Sequence, residues 1–259
     1  MGHNFRSTTL FVVALSMAVG MSFMTGCDKK ASEPSKTTES LQETDKTVEN
    51  TDDGYMKAPE IQPNEVGLIT LEQCPTTYQN LKVEVTEDCS EAKIYDGDKL
   101  LQTISDSDDG LVAAGGDAPV YFMDANFDGY VDIFIGPGRS RTYSTLLTWN
   151  PADKQFVRVG KLGTPPFQNF MLYPSGKVVF DGGSESAFAD FFTSYEWKDG
   201  QLLKLNDLYV VDDPEQYVEY GVDAKYTLRD VDEKAVVSTD ELSGLPEPWA
   251  GVLKTYMPI

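Results

Sequence analysis

Apolar and polar positions alternate over much of the chain. In "LKVEVTED" (81–88) Leu81, Val83 and Val85 fall on one face, the period-2 pattern of a strand with one side buried. "AKIYDGDKLLQTI" (92–104) reads as two strands hinged at Asp96-Gly97, a dipeptide that accepts the left-handed backbone of a tight hairpin. "PVYFMD" (119–124) and "VDIFIG" (131–136) are shorter and almost wholly apolar. "STLLTWN" (144–150) and "KQFVRVG" (154–160) are parted by the turn residues Pro151 and Asp153. "NFMLYPSGKVVFDGG" (169–183) predicts two strands about Pro-Ser-Gly, and "SYEWKDGQLLKLND" (194–207) two about Asp199-Gly200. "KYTLRDVDEKAVVST" (225–239) predicts one more hairpin. Helical signals are confined to "DDPEQYVEYG" (212–221), opened by Asp213 and Pro214, and "EPWAGVLKTY" (247–256). Closely spaced turn signals with few short helical turns predict an all-β fold. An antiparallel meander, propeller-like or arranged as a sandwich, satisfies them. No repeat of fixed period establishes a regular propeller.

The first residues follow other rules. Arg6 gives a positive start, and Leu10 to Met24 is apolar but for Ser16, Gly20 and Ser22. The run is short for a membrane span and fits the apolar region of an export signal. It ends in Met24-Thr25-Gly26-Cys27, which resembles the bacterial lipobox. The resemblance implies a signal peptide over 1–26, cleavage before Cys27, and acyl chains such as palmitate on the mature chain. From Asp28 to Gly54 the only apolar side chains are Ala31, Leu41 and Val48. Such a segment buries too little to offset the entropy of ordering. Residues 27–60 are therefore expected to be a disordered tether, and 61–259 a β domain held at the cell envelope through the lipid alone.

Charge and cysteines narrow the chemistry. With 21 basic and 42 acidic residues the net charge is −21, so nucleic acid and anionic membrane surfaces are poor partners. Cations and basic proteins are better ones. Acidity also serves the solubility of an exported protein. With Cys27 assigned to lipid, Cys74 and Cys89 are left to pair under oxidising conditions. That bridge would close a loop of about 15 residues, worth about 3 kcal/mol in the chain-entropy model.

The stretch "DANFDGYVD" (124–132) carries the specific chemistry. Asp124, Asn126, Asp128 and Asp132 occupy the first, third, fifth and ninth positions of a calcium loop. Gly129 takes the sixth, where a sharp turn is needed, and Tyr130 the seventh, which supplies a backbone carbonyl. A hard cation needs several oxygens at once, and three carboxylates crowded without one would repel. The twelfth position is Ile135 and the flanks are strands, so this is not an EF-hand. The loop resembles the calcium turns between strands of FG-GAP and VCBS type β-propeller proteins. With "STLLTWNPADKQFVRVGKL" and "SYEWKDGQLLKL" it also resembles a family of secreted bacterial β proteins, over roughly residues 80–205. Some relatives there have a propeller-like fold and inhibit lysozyme-type cell-wall hydrolases.

Other stretches are less specific. "SDSDDG" (105–110), with Asp106 and Asp108, lacks a later ligand at calcium spacing and reads as a solvated turn. "GPGRSRTYS" (136–144) offers Arg139, Arg141 and Tyr143 on a loop, residue types that anchor interfaces. The same stretch also suits a plain hairpin loop. "AFADFFTSYEW" (187–197) suits a core strand better than a sugar-stacking surface.

The only histidine, His3, lies in the signal. That removes Ser-His-Asp and Cys-His catalysis and histidine-ligated zinc from the mature chain. The expectation is an envelope-tethered, calcium-stabilised binding module without catalytic activity. Its partner would be an envelope protein, a basic lysozyme-type hydrolase among the candidates, or a glycan. A carbohydrate-active enzyme using a carboxylate pair is the alternative.

Overall fold

The structure, a computed structural model, describes residues 56–88, 90–105, 118–136, 144–159 and 169–257. All of these fall in the compact unit Thr51–Ile259. In chain order, β1 (Ile69–Thr70) is followed by a three-stranded sheet of β2 (Leu81–Val85), β3 (Glu91–Asp96) and β4 (Lys99–Ser105). A four-stranded sheet comes next, made of β5 (Val120–Met123), β6 (Asp132–Ile135), β7 (Thr145–Asn150) and β8 (Gln155–Arg158). The remainder builds β9 (Met171–Tyr173), β10 (Val178–Ser184), β11 (Ala189–Lys198), β12 (Gln201–Val211), β13 (Tyr226–Asp230) and β14 (Ala235–Thr239). These six strands pair in chain order, and β1 adds to the outer edge of β9. Every pairing is antiparallel, and among the described residues no sheet closes into a barrel. The all-β meander is thus the observed class.

The turns follow the chemistry read from the sequence. Asp96 pairs with Lys99 across Gly97 (φ 57°), and Lys198 with Gln201 across Asp199 (φ 51°) and Gly200 (φ 75°). Positive φ at the centre matches the turn to the twist of the flanking strands. Asp213 caps a short 3-10 turn by accepting the Glu215 N–H at 3.0 Å. The turn runs into α1 (Tyr217–Tyr220), which ends on left-handed Gly221. The second helix, α2 (Trp249–Tyr256), covers the seven-stranded sheet.

Apolar side chains form three main layers. Ile94 and Leu81 pack against Phe122, Ile133, Ile135 and Trp149, joining the three- and four-stranded sheets. Phe134, Met123 and Leu146 pack against Phe170, Leu172 and Val179, joining the four- and seven-stranded sheets. Phe180, Phe192 and Leu208 pack on Trp249, Val252 and Leu253 of α2. Strand β6 lies between two of these layers, so all four of its residues are buried. A strand covered on both faces reads as a continuous apolar run rather than an alternation. Phe134 stacks on Phe170 with centroids 4.9 Å apart. Truncating Phe134 to alanine would cost about 3–5 kcal/mol. Gly182 on β10 has a steric role, since an added Cβ would meet the Phe192 ring and the Phe191 carbonyl.

Two sequence expectations meet the structure differently. Folded chain begins by Met56, which is 1% exposed, rather than at residue 61. Its side chain joins the first apolar layer and its backbone pairs with the 124–132 loop. Cys74 is a buried free thiol whose Sγ donates to the Thr70 carbonyl at 3.4 Å. Burial pushes that thiol up to about 12, so it is protonated at neutral pH. Cys89, its expected partner, lies outside the described residues, as do Cys27, Asp106, Asp108, Arg139, Arg141 and Tyr143.

Candidate metal centre

The loop Asp124–Val131 joins β5 to β6, and Met123 with Asp132 is the last paired position of the two strands. Each polar side chain in it draws the backbone inward. The Asp124 carboxylate accepts the Asp128 N–H at 3.0 Å on one oxygen and the Gly129 N–H at 2.9 Å on the other. Asn126 Oδ1 accepts the Asp128 N–H at 3.1 Å, and Asp128 Oδ1 accepts the Tyr130 N–H at 2.8 Å. The last two are Asx turns, the local use to which short polar side chains are suited. Phe127 (φ 61°) and Gly129 (φ 89°) take left-handed backbone. Gly129 tolerates this without penalty. Phe127 is held there by packing against the layer around Phe134 and Phe170.

Asp132 lies beneath the loop and is 0% exposed. Its Oδ2 accepts the N–H groups of Ala125 at 2.8 Å and Asn126 at 3.2 Å, and its Oδ1 accepts that of Trp149 on β7 at 2.9 Å. A carboxylate offers about four lone-pair positions, so one is left. Burial raises the Asp132 carboxyl well above its usual range; the Trp149 N–H opposes this, and the charges of Asp128 and Asp124 add to it. Burial also raises Asp124, with the Gly129 and Asp128 N–H groups opposing and the Asp128 charge adding. Lys57, whose backbone bridges to the loop at Tyr130, has its ammonium 3.8 Å from Glu60.

The donor set is all oxygen: three carboxylates, the Asn126 amide and the Tyr130 carbonyl. Such a set suits calcium and not a thiolate- or imidazole-seeking metal. Among the described residues, no three His, Cys, Asp or Glu side chains are drawn together as a preformed metal cluster. The carboxylates are instead satisfied by N–H groups. A site that fills to calcium would need Asp124, Asn126 and Asp128 to share their exposed oxygens with the ion. Asp132 has the least to give. On charge and ligand chemistry the loop fits a hard cation.

One side chain that sequence reasoning did not attach to this loop holds it from outside. Trp197 of β11 donates its indole N–H to the Ala125 carbonyl at 2.6 Å, across 72 positions of chain. The pattern Tyr195-x-Trp197-x-x-Gly200-x-Leu202 was visible in the sequence, but nothing local tied it to residue 125. Gln102 of β4 exchanges two 2.8 Å bonds with the Phe156 backbone, stitching the three-stranded sheet to the edge of the four-stranded one. A cleft of about 270 Å³ beside the loop is lined by Asp124, Phe127, Ile61 and Leu172. A second of about 520 Å³ lies by α2, lined by Asn64, Glu72, Asn169 and Tyr256. The buried carboxylate of Asp207 accepts from Thr193 at 2.8 Å and Lys204 at 2.6 Å. No described helix is long and apolar enough to cross a membrane.

No known family profile matches the chain, and no curated protein is significantly similar to it. Among solved structures, one described as that of a Xanthomonas Type IV Secretion System related protein superposes with a TM-score of 0.40 at 12% identity. The match covers 71% of this chain and 99% of that one. A likeness this low fixes neither fold nor partner.

Proposed function

We propose that this chain is a lipid-tethered binding module of the cell envelope whose β unit is stabilised by calcium. Its partner would be a basic envelope protein. The observation that carries the calcium reading is the loop itself. Three carboxylates, an amide and a backbone carbonyl fall in calcium-loop order, and the charges of Asp124 and Asp128 both oppose ionisation of buried Asp132. Asp124, Asn126, Asp128 and the Tyr130 carbonyl would hold the ion, with Asp132 completing the set. The ion would neutralise charge that the loop otherwise carries unbalanced. Extracellular calcium modules bind at about 0.1–1 mM. Free ion at ten times the dissociation constant adds about 1.4 kcal/mol to stability. The melting temperature should rise with calcium and fall with chelator, and Asp128→Ala should remove the difference. A wild-type melt indifferent to chelator, from protein that purifies without metal, refutes this part.

The binding role rests on charge and on the resemblance of the sequence. A net charge of −21 speeds encounter with a cationic partner. Strand β6 runs from the loop directly toward residues 136–144, so a fixed loop would pin the base of that segment. A lysozyme-type hydrolase is the partner class the resemblance implies. The test is hydrolase activity with excess of this protein, at low and physiological salt, across several lysozyme types. Inhibition lost on replacing Arg141 and Tyr143 together by alanine supports the reading. No binding at either salt refutes the inhibitor role.

A further inference from the structure

The N-terminal end of the described chain, residues 56–58, lies against the loop. The Val131 N–H donates to the Met56 carbonyl at 2.7 Å, and the Ala58 N–H donates to the Gly129 carbonyl at 2.9 Å. Lys57 and Tyr130 therefore face each other as an isolated antiparallel bridge. The Tyr78 hydroxyl secures the strap by donating to the Lys57 carbonyl at 2.7 Å. Met56 is buried against the first apolar layer, so the strap has a side-chain hold as well as a backbone one.

Peptide planarity turns this pairing into an orientation. In a trans peptide the carbonyl and the N–H point opposite ways. The Tyr130–Val131 peptide turns its N–H to Met56, so the Tyr130 carbonyl points away from the strap. The Gly129–Tyr130 peptide turns its carbonyl to Ala58. The Tyr130 N–H thus points away as well, and donates to Asp128 Oδ1 at 2.8 Å. Two successive peptide planes are set from one side by residues 56–58. The second of them carries the carbonyl at the seventh loop position, where a calcium loop uses a backbone oxygen.

We propose that the strap Met56–Ala58 is a positioning element of the loop, so that docking of the strap and calcium binding are coupled. This rests on the calcium reading above. Coupling is reciprocal. The docked strap raises affinity for the ion, and the ion tightens the strap. Residues 56–58 are the most N-terminal of the described chain, and on the lipid-tether reading a pull on that end would act on the strap, held both by the loop and by the first apolar layer. The loop becomes the place where anchoring and calcium are read together.

The test uses the full-length chain in detergent, titrated with calcium chloride by calorimetry and followed by amide exchange. Ala58→Pro removes the N–H given to Gly129, and Tyr78→Phe removes only the hydroxyl that holds Lys57. Calcium should slow exchange at Ala58 and Val131 in the wild type. Ala58→Pro should raise the calcium dissociation constant at least about fivefold, the lower end of usual coupling, and Tyr78→Phe should raise it less. If the wild type shows no binding heat, the calcium reading fails and the coupling with it. If it binds while both variants keep its dissociation constant and Val131 exchange ignores calcium, the coupling alone is overturned. Should Ala58→Pro not fold, Tyr78→Phe and wild-type Val131 exchange decide the matter in the same way.

Discussion

Truncating Asp132 in calcium-free protein separates a structural carboxylate from a metal ligand. Asp132→Ala removes three acceptor contacts, to Ala125, Asn126 and Trp149. Ala125 is 0% and Trp149 7% exposed, so two N–H groups are stranded away from water. Each stranded donor costs about 1–3 kcal/mol. The Asn126 N–H lies nearer solvent and can be hydrated. Removing a carboxylate whose ionisation is disfavoured by burial and by the charges of Asp128 and Asp124 returns part of the cost. The expected net loss is about 2–3 kcal/mol, or about 5–10 °C in melting temperature for a unit of this size. Asp128→Ala is the control. Its residue is exposed, water can replace its contacts, and in chelator it should cost little while still removing the response to calcium. The assay is thermal and urea unfolding of both variants in excess chelator, then in calcium. Equal stability of the two variants in chelator would refute the reasoning. It would mean that Asp132 serves only an ion and that its three hydrogen bonds contribute nothing net.

Trp197→Phe keeps the ring and loses the indole N–H that caps the Ala125 carbonyl. It should lower the urea unfolding free energy by about 1–2 kcal/mol with or without calcium, and an unchanged unfolding curve would count against the clamp. The raised Asp132 carboxyl fixes a pH trend. Its folded value exceeds the unfolded one of about 3.9, so its contribution is fully present below that value and is lost as pH rises through the folded one. In chelator, stability should therefore increase as pH falls toward that unfolded value, more in the wild type than in Asp132→Asn, whereas in calcium protons compete with the ion and the gain should vanish. Identical pH slopes for wild type and Asp132→Asn in chelator would refute the assignment. Cys27→Ser should move the protein from the membrane to the soluble fraction of cells, and identical partitioning of the two forms would remove the lipid anchor.

The sequence by itself determined most strands, their turns and the order of polar side chains in the loop, because these are local. Alternation in 81–85 and Asp-Gly at 96–97 and 199–200 act within a few residues, through side-chain period and backbone sterics. Asn126 and Asp128 likewise set Asx turns with the backbone two residues on. Tertiary structure decided which strands share a sheet and what steadies the loop. The family resemblance covers roughly residues 80–205, yet it is residues 208–257 that complete the seven-stranded sheet and place α2 over it. Strand β1 is two residues long and exists because the edge of β9 offers it a partner. Burial also gave Asp132 three backbone N–H groups to accept, because its carboxylate lies between β7 and the loop. Trp197 and Met56 reach the same loop from distant parts of the chain. Their bonds depend on peptide planes brought within about 3 Å by the stacking of whole sheets, and no spacing along the chain records that approach.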